Sequence, residues 1–329
     1  MKRRMAWWSV MATALWHLTG CGMPGKSFSG ALPPLTEGQR KLAGEIRRDV
    51  QVLAGEIGHR DLEHPELLAR AADHVEGQFR AAGFEPRQHQ YEVGGQTVFN
   101  IDAEVKGRSN EVVVVGAHYD SVRGTVGAND NGSGMAAVLA LARRMATGPQ
   151  PKRTLRFVAF VNEEPPYFQT EQMGSLVYAR ECQARGDRIT AMISLETIGY
   201  YSDEEGSQHY PKPMDLFYPS RGNFIAFVGN TGSGGLVKRI VGRFRKDVPF
   251  PSEGAAVPGF IKGVGWSDQW SFWACGYSAV MVTDTAPFRY PYYHTTGDTP
   301  DRIDYERTAR VVEGLGVVIR DLVDGESSG

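Results

Sequence analysis

The chain has 329 residues, 41% of them hydrophobic and 22% charged, with a net charge of −2 at neutral pH. That is enough chain and apolar side chain for one large α/β domain or two small ones, and the composition excludes a predominantly disordered protein. Without a basic stripe, the charge balance argues against a nucleic-acid partner.

The first residues read as a processing signal. Lys2, Arg3 and Arg4 form a basic start, and Met5 to Trp16 is an apolar stretch too short to span a bilayer comfortably. Leu18-Thr19-Gly20-Cys21 follows and resembles a bacterial lipobox. The resemblance implies cleavage before Cys21 and lipidation of that cysteine; an ordinary secretory signal is the alternative. Residues 1–20 are therefore expected as a signal peptide and 21–35, rich in Gly, Pro and Ser, as a tether. Residues 36–329 would form one domain, anchored to a membrane of the bacterial envelope and facing the periplasm or the exterior. Cys182 and Cys275 remain; in an oxidising compartment they could pair or stay free.

Leu42, Ile46, Val50 and Leu53 recur every three or four positions and predict an amphipathic helix over 37–56. A second helix is predicted from Pro65 to Ala82, with Gly83 as its stop. Strands are expected at 87–93, 97–105 and, fully buried by composition, 111–116. A helix over 132–145, a buried strand at 154–161, a helix near 173–184 and a strand near 190–195 follow. Further on, a strand at 223–228, a helix at 234–245, a strand at 278–282 and a closing helix from Tyr305 to Val323 are predicted. The stretch from Tyr200 to Arg221 reads as a long loop. Strands alternating with helices predict a single three-layer α/β/α domain around a mainly parallel mixed sheet. Sites in such sheets lie beyond the carboxyl ends of the strands.

Chemistry-bearing residues fall at those ends. The strand at 111–116 runs into His118, a possible metal ligand, with Asp120 placed to fix its tautomer. Asp130 lies in the glycine-rich run Gly127 to Gly134, which reads either as a helix N-cap turn or as a carboxylate able to bridge two cations. Glu163 and Glu164 end the strand at 154–161. Two adjacent buried carboxylates repel unless a cation compensates them; a solvated turn is the alternative. Glu196 ends the strand at 190–195, and His294 sits in a loop after the last predicted strand. Together they make two histidines and three carboxylates plus a spare glutamate. This N/O donor set suits zinc, with manganese or cobalt as substitutes.

The segments GAHYDSV (116–122), GANDNGSG (127–134), VNEEPP (161–166), SLETIGY (194–200), GWSDQWSFW (265–273) and YYHTTGDTPDRID (292–304) carry a resemblance. In order and spacing the chain is similar to the di-zinc exopeptidases typified by bacterial leucyl aminopeptidases and aminopeptidase Y, from about Leu42 to Leu322. The resemblance implies a zinc-exopeptidase (phosphorylase/hydrolase-like) fold and two zinc ions per chain. His118, Asp130 and Glu196 would hold one ion, and Asp130, Glu164 and His294 the other. It further implies peptide substrates, Glu163 as general base acting on a metal-activated water, Asp120 as the residue orienting His118, and a cis peptide at Asp130–Asn131. Tyr293 could donate a hydrogen bond to the oxyanion, or be a packed loop tyrosine. Two positions depart from the family pattern: Glu196 stands where Asp is common, and Gln269 where His is frequent. Within the same fold, a one-zinc glutaminyl cyclase is an alternative activity. A catalytically inactive lipid-anchored binding module is another.

Overall fold

The computed structural model describes residues 22–212 and 214–325. Cys21 and the signal segment lie outside the described residues. Among the described residues no helix is long and apolar enough to cross a membrane.

The chain opens with helix α1 (Glu37–Val50), started by a capping box in which Thr36 and Gln39 bond each other's backbone N–H groups. The predicted helix over 37–56 changes character at its end: residues Gln51–Ile57 form a wider π-type turn closed by Gly58 at φ 85°. Helix α2 (Pro65–Ala81) starts on a proline, whose missing N–H costs nothing at a first turn. Strands β1 (Arg87–Val93), β2 (Gln96–Val105) and β3 (Glu111–His118) follow, then helix α3 (Gly134–Met145), strand β4 (Thr154–Phe160), helix α4 (Gly174–Ala184) and strand β5 (Arg188–Glu196). After the long loop come strand β6 (Ile225–Gly229), helix α5 (Gly234–Asp247), strand β7 (Ser252–Ala256), helix α6 (Gln269–Ala274), strand β8 (Ala279–Thr283), the short helix α7 (Ala286–Arg289) and helix α8 (Tyr305–Asp324). Strand β7 and helix α6 were not predicted. Ser-Glu-Gly-Ala-Ala lacks the β-branched signature of a strand, and six residues show too little helical period.

The eight strands form one sheet in the order β1-β2-β4-β3-β5-β8-β6-β7. The pairs β3–β4, β3–β5, β5–β8 and β6–β7 are parallel; β1–β2, β2–β4 and β6–β8 are antiparallel. The run Val112 to Val115 is buried throughout because it faces two cores. Val113 and Val115 pack toward α1, α3 and α8, while Val112 and Val114 pack with Tyr178 of α4 and Phe272 of α6. Each such valine contributes about 1.5–3 kcal/mol by leaving water. The result is the expected three-layer α/β/α arrangement with a mainly parallel mixed sheet.

Of the expected tether, residues 22–35 are described. Met23 is buried against Gly254 of β7, Ser27 accepts a hydrogen bond from the Ser252 N–H, and Arg245 donates to the Gly25 carbonyl. Cys182 and Cys275 are both free thiols, the first buried.

Candidate active site

The carboxyl ends of β3, β4 and β5 meet at one point, and the chain turns sharply at each exit. Asn162 (φ 58°) follows β4, Thr197 (φ 44°) follows β5, and His294 itself has φ 55°. Left-handed backbone is unusual for these residues and worst for the β-branched Thr. Thr197 is held there by its N–H to Asn131 Oδ1 (3.1 Å) and by the Asp284 N–H donating to its carbonyl (2.7 Å). The glycine-rich loop is fastened to the same strand end. Asn131 donates to the Leu195 carbonyl at 2.8 Å and accepts from Gly134 N–H. A Cβ on Gly134 would come within 2.4 Å of the Leu195 carbonyl oxygen, so only glycine lets helix α3 approach β5 this closely. The Asp130–Asn131 peptide is cis.

Into this junction project two overlapping triads, His118, Asp130 and Glu196 on one side and Asp130, Glu164 and His294 on the other, with the donor atoms in each within 4.8 Å of one another. His118 Nε2 lies 3.4 Å from Asp130 Oδ1 and 3.3 Å from Glu196 Oε2. His294 Nε2 lies 3.0 Å from Asp130 Oδ2 and 3.3 Å from Glu164 Oε2. Yet the buried atoms His118 Nε2, Asp130 Oδ2 and Glu164 Oε1 make no hydrogen bond. Contacts this short without hydrogen-bond alignment mean that lone pairs converge on shared points rather than on each other. Ligands about 2.0–2.1 Å from a tetrahedral zinc stand ~3.3 Å apart, so the spacing fits that ion at both triads.

The electrostatics point the same way. Burial pushes Glu163 well above the usual carboxylate range; Glu196 and Glu164 add to this while the His118 charge opposes it. Glu164 is pushed up to about 8, by burial first and the Asp130 charge next. Glu196 is raised for the same two reasons. Burial alone would lower His294, but the adjacent Asp130 and Glu164 carboxylates hold it up at about 10. Four carboxylates share one dry patch with two imidazoles, a charge excess that divalent cations would neutralise.

The sequence pairs Asp120 with the His118 ring; the structure gives its carboxylate a different main task. His118 Nδ1 lies 3.2 Å from the Asp120 backbone carbonyl and 3.5 Å from its Oδ1. The Nδ1–H thus points at Asp120, which leaves Nε2 free to bind a metal. The carboxylate instead accepts the backbone N–H groups of Glu163 (3.2 Å) and Glu164 (3.1 Å), locking the turn that presents both glutamates. Tyr293 stacks on the His294 ring (centroids 3.9 Å apart, 18° between planes) and, with Glu196, lines a neighbouring apolar cleft.

Sequence reasoning assigned no role to three buried carboxylates. Asp298 accepts from the N–H groups of Asn129 (2.8 Å) and Asp130 (3.0 Å) and from the Tyr290 hydroxyl (2.9 Å). Asp284 takes Asn129 Nδ2 and the Tyr200 N–H. Asp268 is fully buried with both oxygens unpartnered among the described residues, and burial pushes it up to about 7. The only signal for Asp298 was its place four residues after His294; for Asp268 it was the Gly-Trp-Ser-Asp run. Gln269, at the position where the family often has His, is buried and donates to the Val264 carbonyl. Replacing Asp298 by Ala frees the loop that carries Asp130. Metal affinity is expected to fall about 10–100-fold, as for other residues that orient a ligand, measured by competition with a chromophoric chelator.

Comparison with known proteins agrees with this architecture. Residues 100–319 match the model of peptidase family M28. A protein of Escherichia coli K12, YfbL, is 34% identical over 82% of this chain and 85% of its own length. A probable lipoprotein aminopeptidase of Mycobacterium tuberculosis, LpqL, is 30% identical over 66% of this chain, and the match spans 44% of LpqL. Among solved structures, a zinc aminopeptidase from Bacillus subtilis superposes with TM-score 0.68 at 15% identity, covering 87% of this chain and 96% of its own. A glutaminyl cyclase from Fimbriiglobus ruber superposes with TM-score 0.64 at 20% identity, covering 89% and 97%. At these identities the two structures speak to the fold alone. The match to the family model and the identity to YfbL decide the rest: the chain belongs to peptidase family M28 and is an exopeptidase-type hydrolase.

Proposed function

We propose that the chain is a di-zinc aminopeptidase, anchored in a bacterial envelope membrane by a lipid on Cys21. The observation that carries the catalytic reading is the pair of triads sharing Asp130, with Glu163 beside them, close to His118 and Glu164 but in neither triad. His118, Asp130 and Glu196 would hold one zinc and Asp130, Glu164 and His294 the other, with manganese or cobalt as possible substitutes. The two ions would supply Lewis-acid polarisation of the substrate carbonyl and acidify a water. The chain's own groups do the remaining work. Glu163 is 6% exposed and its Oε2 lies 3.7 Å from His118 Nε2. Burial favours its protonated form, so it can take the proton from the attacking water, hold it, and deliver it to the departing amine nitrogen. Asp120 fixes the backbone from which it acts. Tyr293, at the cleft edge, would donate to the developing oxyanion of the substrate.

The aminopeptidase direction is supported by LpqL and by aminopeptidase YwaD of Bacillus subtilis, 26% identical over 70% of this chain. Both are longer: this chain spans under half of each. The lipid anchor is supported by the lipobox-like segment and by the description of LpqL as a lipoprotein. On this reading residues 1–20 are the signal, 21–35 the connection and 36–329 the peptidase domain. The catalytic face would lie on the periplasmic or outer side of the membrane.

The test is zinc counting by mass spectrometry alongside a peptide panel. We expect two zinc ions per chain, cleavage of peptides with a free amino terminus, and no cleavage of the same peptides once acetylated. A chelator should reduce activity to background, and added zinc should restore it. One zinc per chain with ammonia released from a glutaminyl peptide would replace this reading by a cyclase. Absence of both zinc and turnover would leave a binding module.

A further inference from the structure

The row of the sheet that contains Glu196 runs on to a second carboxylate. Strand pairing sets Glu196 opposite Thr283, Thr283 opposite Ala226, and Ala226 opposite Glu253. Directly paired residues share a face of the sheet, and all four line one cleft that Tyr293 also borders. Three inter-strand steps of about 4.8 Å put Glu253 ~14 Å from Glu196, Cα to Cα. Between and above them the walls are apolar or aromatic: Phe224, Val228, Met281, Trp266 and Phe288. The cleft thus has the metal centre at one end, an apolar length, and a carboxylate at the other.

Glu253 is incompletely satisfied there. Its side chain is 18% exposed, and Oε2 meets Arg245 at 3.4 Å. That same arginine nitrogen is spent on a shorter bond to the Ser252 carbonyl (2.7 Å), and another goes to the Gly25 carbonyl. No other described side chain donates a hydrogen bond to Glu253. Burial raises its carboxyl above the ordinary range, with Arg245 opposing, as expected for a carboxylate short of donors. The other polar group nearby, the Gln208 carbonyl oxygen, is already taken by Arg289 and Thr285. Lys262 is drawn aside over the Trp266 ring, 5.7 Å from its centroid.

We propose that Glu253 is a specificity-determining residue: it selects substrates whose amino-terminal side chain is apolar along its stem and ends in a hydrogen-bond donor, as in Lys, Arg or Tyr. The inference rests on the aminopeptidase reading, which places the scissile carbonyl at the Glu196 end and sends the side chain down the cleft. A partly buried acceptor at the far end, held by one long contact to Arg245, favours a tip that donates over an isostere that lacks the donor. Cationic tips gain charge as well as a hydrogen bond; a tyrosine tip gains the hydrogen bond only.

The experiment compares lysyl with norleucyl and tyrosyl with phenylalanyl p-nitroanilides, on the zinc-loaded full mature protein and on its E253L and E253Q variants. In the unaltered protein lysyl is expected to exceed norleucyl, and tyrosyl to exceed phenylalanyl, in kcat/KM. In E253L both preferences should fall about tenfold or more, chiefly through KM, while norleucyl turnover stays within about twofold and shows that the variant is folded. E253Q keeps an acceptor without the charge, so the lysyl preference should shrink while the tyrosyl one is kept. Unchanged ratios in E253L overturn the inference while leaving the aminopeptidase reading intact. No cleavage of any of the four substrates overturns both.

Discussion

Replacing Glu163 by Gln is expected to lower kcat by about 10²–10⁴, with KM, melting temperature and zinc content nearly unchanged. Gln preserves volume and hydrogen-bonding capacity but cannot accept the proton. The neighbouring substitution is the control. Glu164 Oε2 contacts His294 Nε2 at 3.3 Å and its Oε1 is a buried atom without a partner, so Glu164→Gln should lower zinc occupancy as well as rate. Rate and metal content measured together therefore separate two residues that are adjacent in the chain. Full activity in Glu163→Gln would remove that residue from the mechanism.

The largest effect on stability is expected at Arg60, which lies outside both triads. Its guanidinium is fully buried and donates to the carbonyls of Tyr119 (2.7 Å), Leu53 (3.0 Å), Gly58 (2.9 Å), Val126 (2.6 Å) and Gly127 (2.9 Å). These carbonyls belong to the turn after α1, the exit of β3 and the start of the Asp130 loop. One side chain therefore fastens three segments that have no ladder of their own. Burial lowers its pKa to about 10, with Asp120 and Asp298 opposing, so it stays charged at neutral pH. Arg60→Met would strand the carbonyls, at an expected cost of about 3 kcal/mol or more, or a fall in Tm on the order of 5 °C for a domain of this size. Arg60→Lys should rescue little, because one ammonium with three donors cannot span what the planar fork reaches. Thermal melts in chelator and with zinc would show the loss in both states. A melt of Arg60→Met indistinguishable from the parent would mean that water replaces the guanidinium at no cost.

How far the sequence reaches is visible in these two cases. The glutamate pair was legible because it ends the run Leu155 to Val161, apolar except for Arg156, which in an α/β chain reads as a buried strand. Strand ends are where such folds place chemistry, so His118, Glu163, Glu164 and Glu196 could be singled out without coordinates. Arg60 could not. An arginine after a glycine-containing turn reads as solvated until the carbonyls of residues 53, 58, 119, 126 and 127 are known to face one point. The division between the Asp120 backbone and carboxylate was hidden for the same reason, since residue spacing does not reveal which oxygen faces which N–H.

Period and composition by themselves determined the alternation of strands and helices, the three layers and the four strand-end side chains. These follow from local patterns that the chain must satisfy wherever it is buried. Only the tertiary structure decided the rest: the strand order that brings His294 to Asp130, the reach of Arg60, and the row from Glu196 to Glu253. Strand β7 is the clearest instance. Its five residues carry no strand signal of their own and are held by pairing with β6 and by packing against α5 and Met23. The position of Glu253 is therefore set by contacts between residues far apart in the chain, a quantity that no local pattern contains.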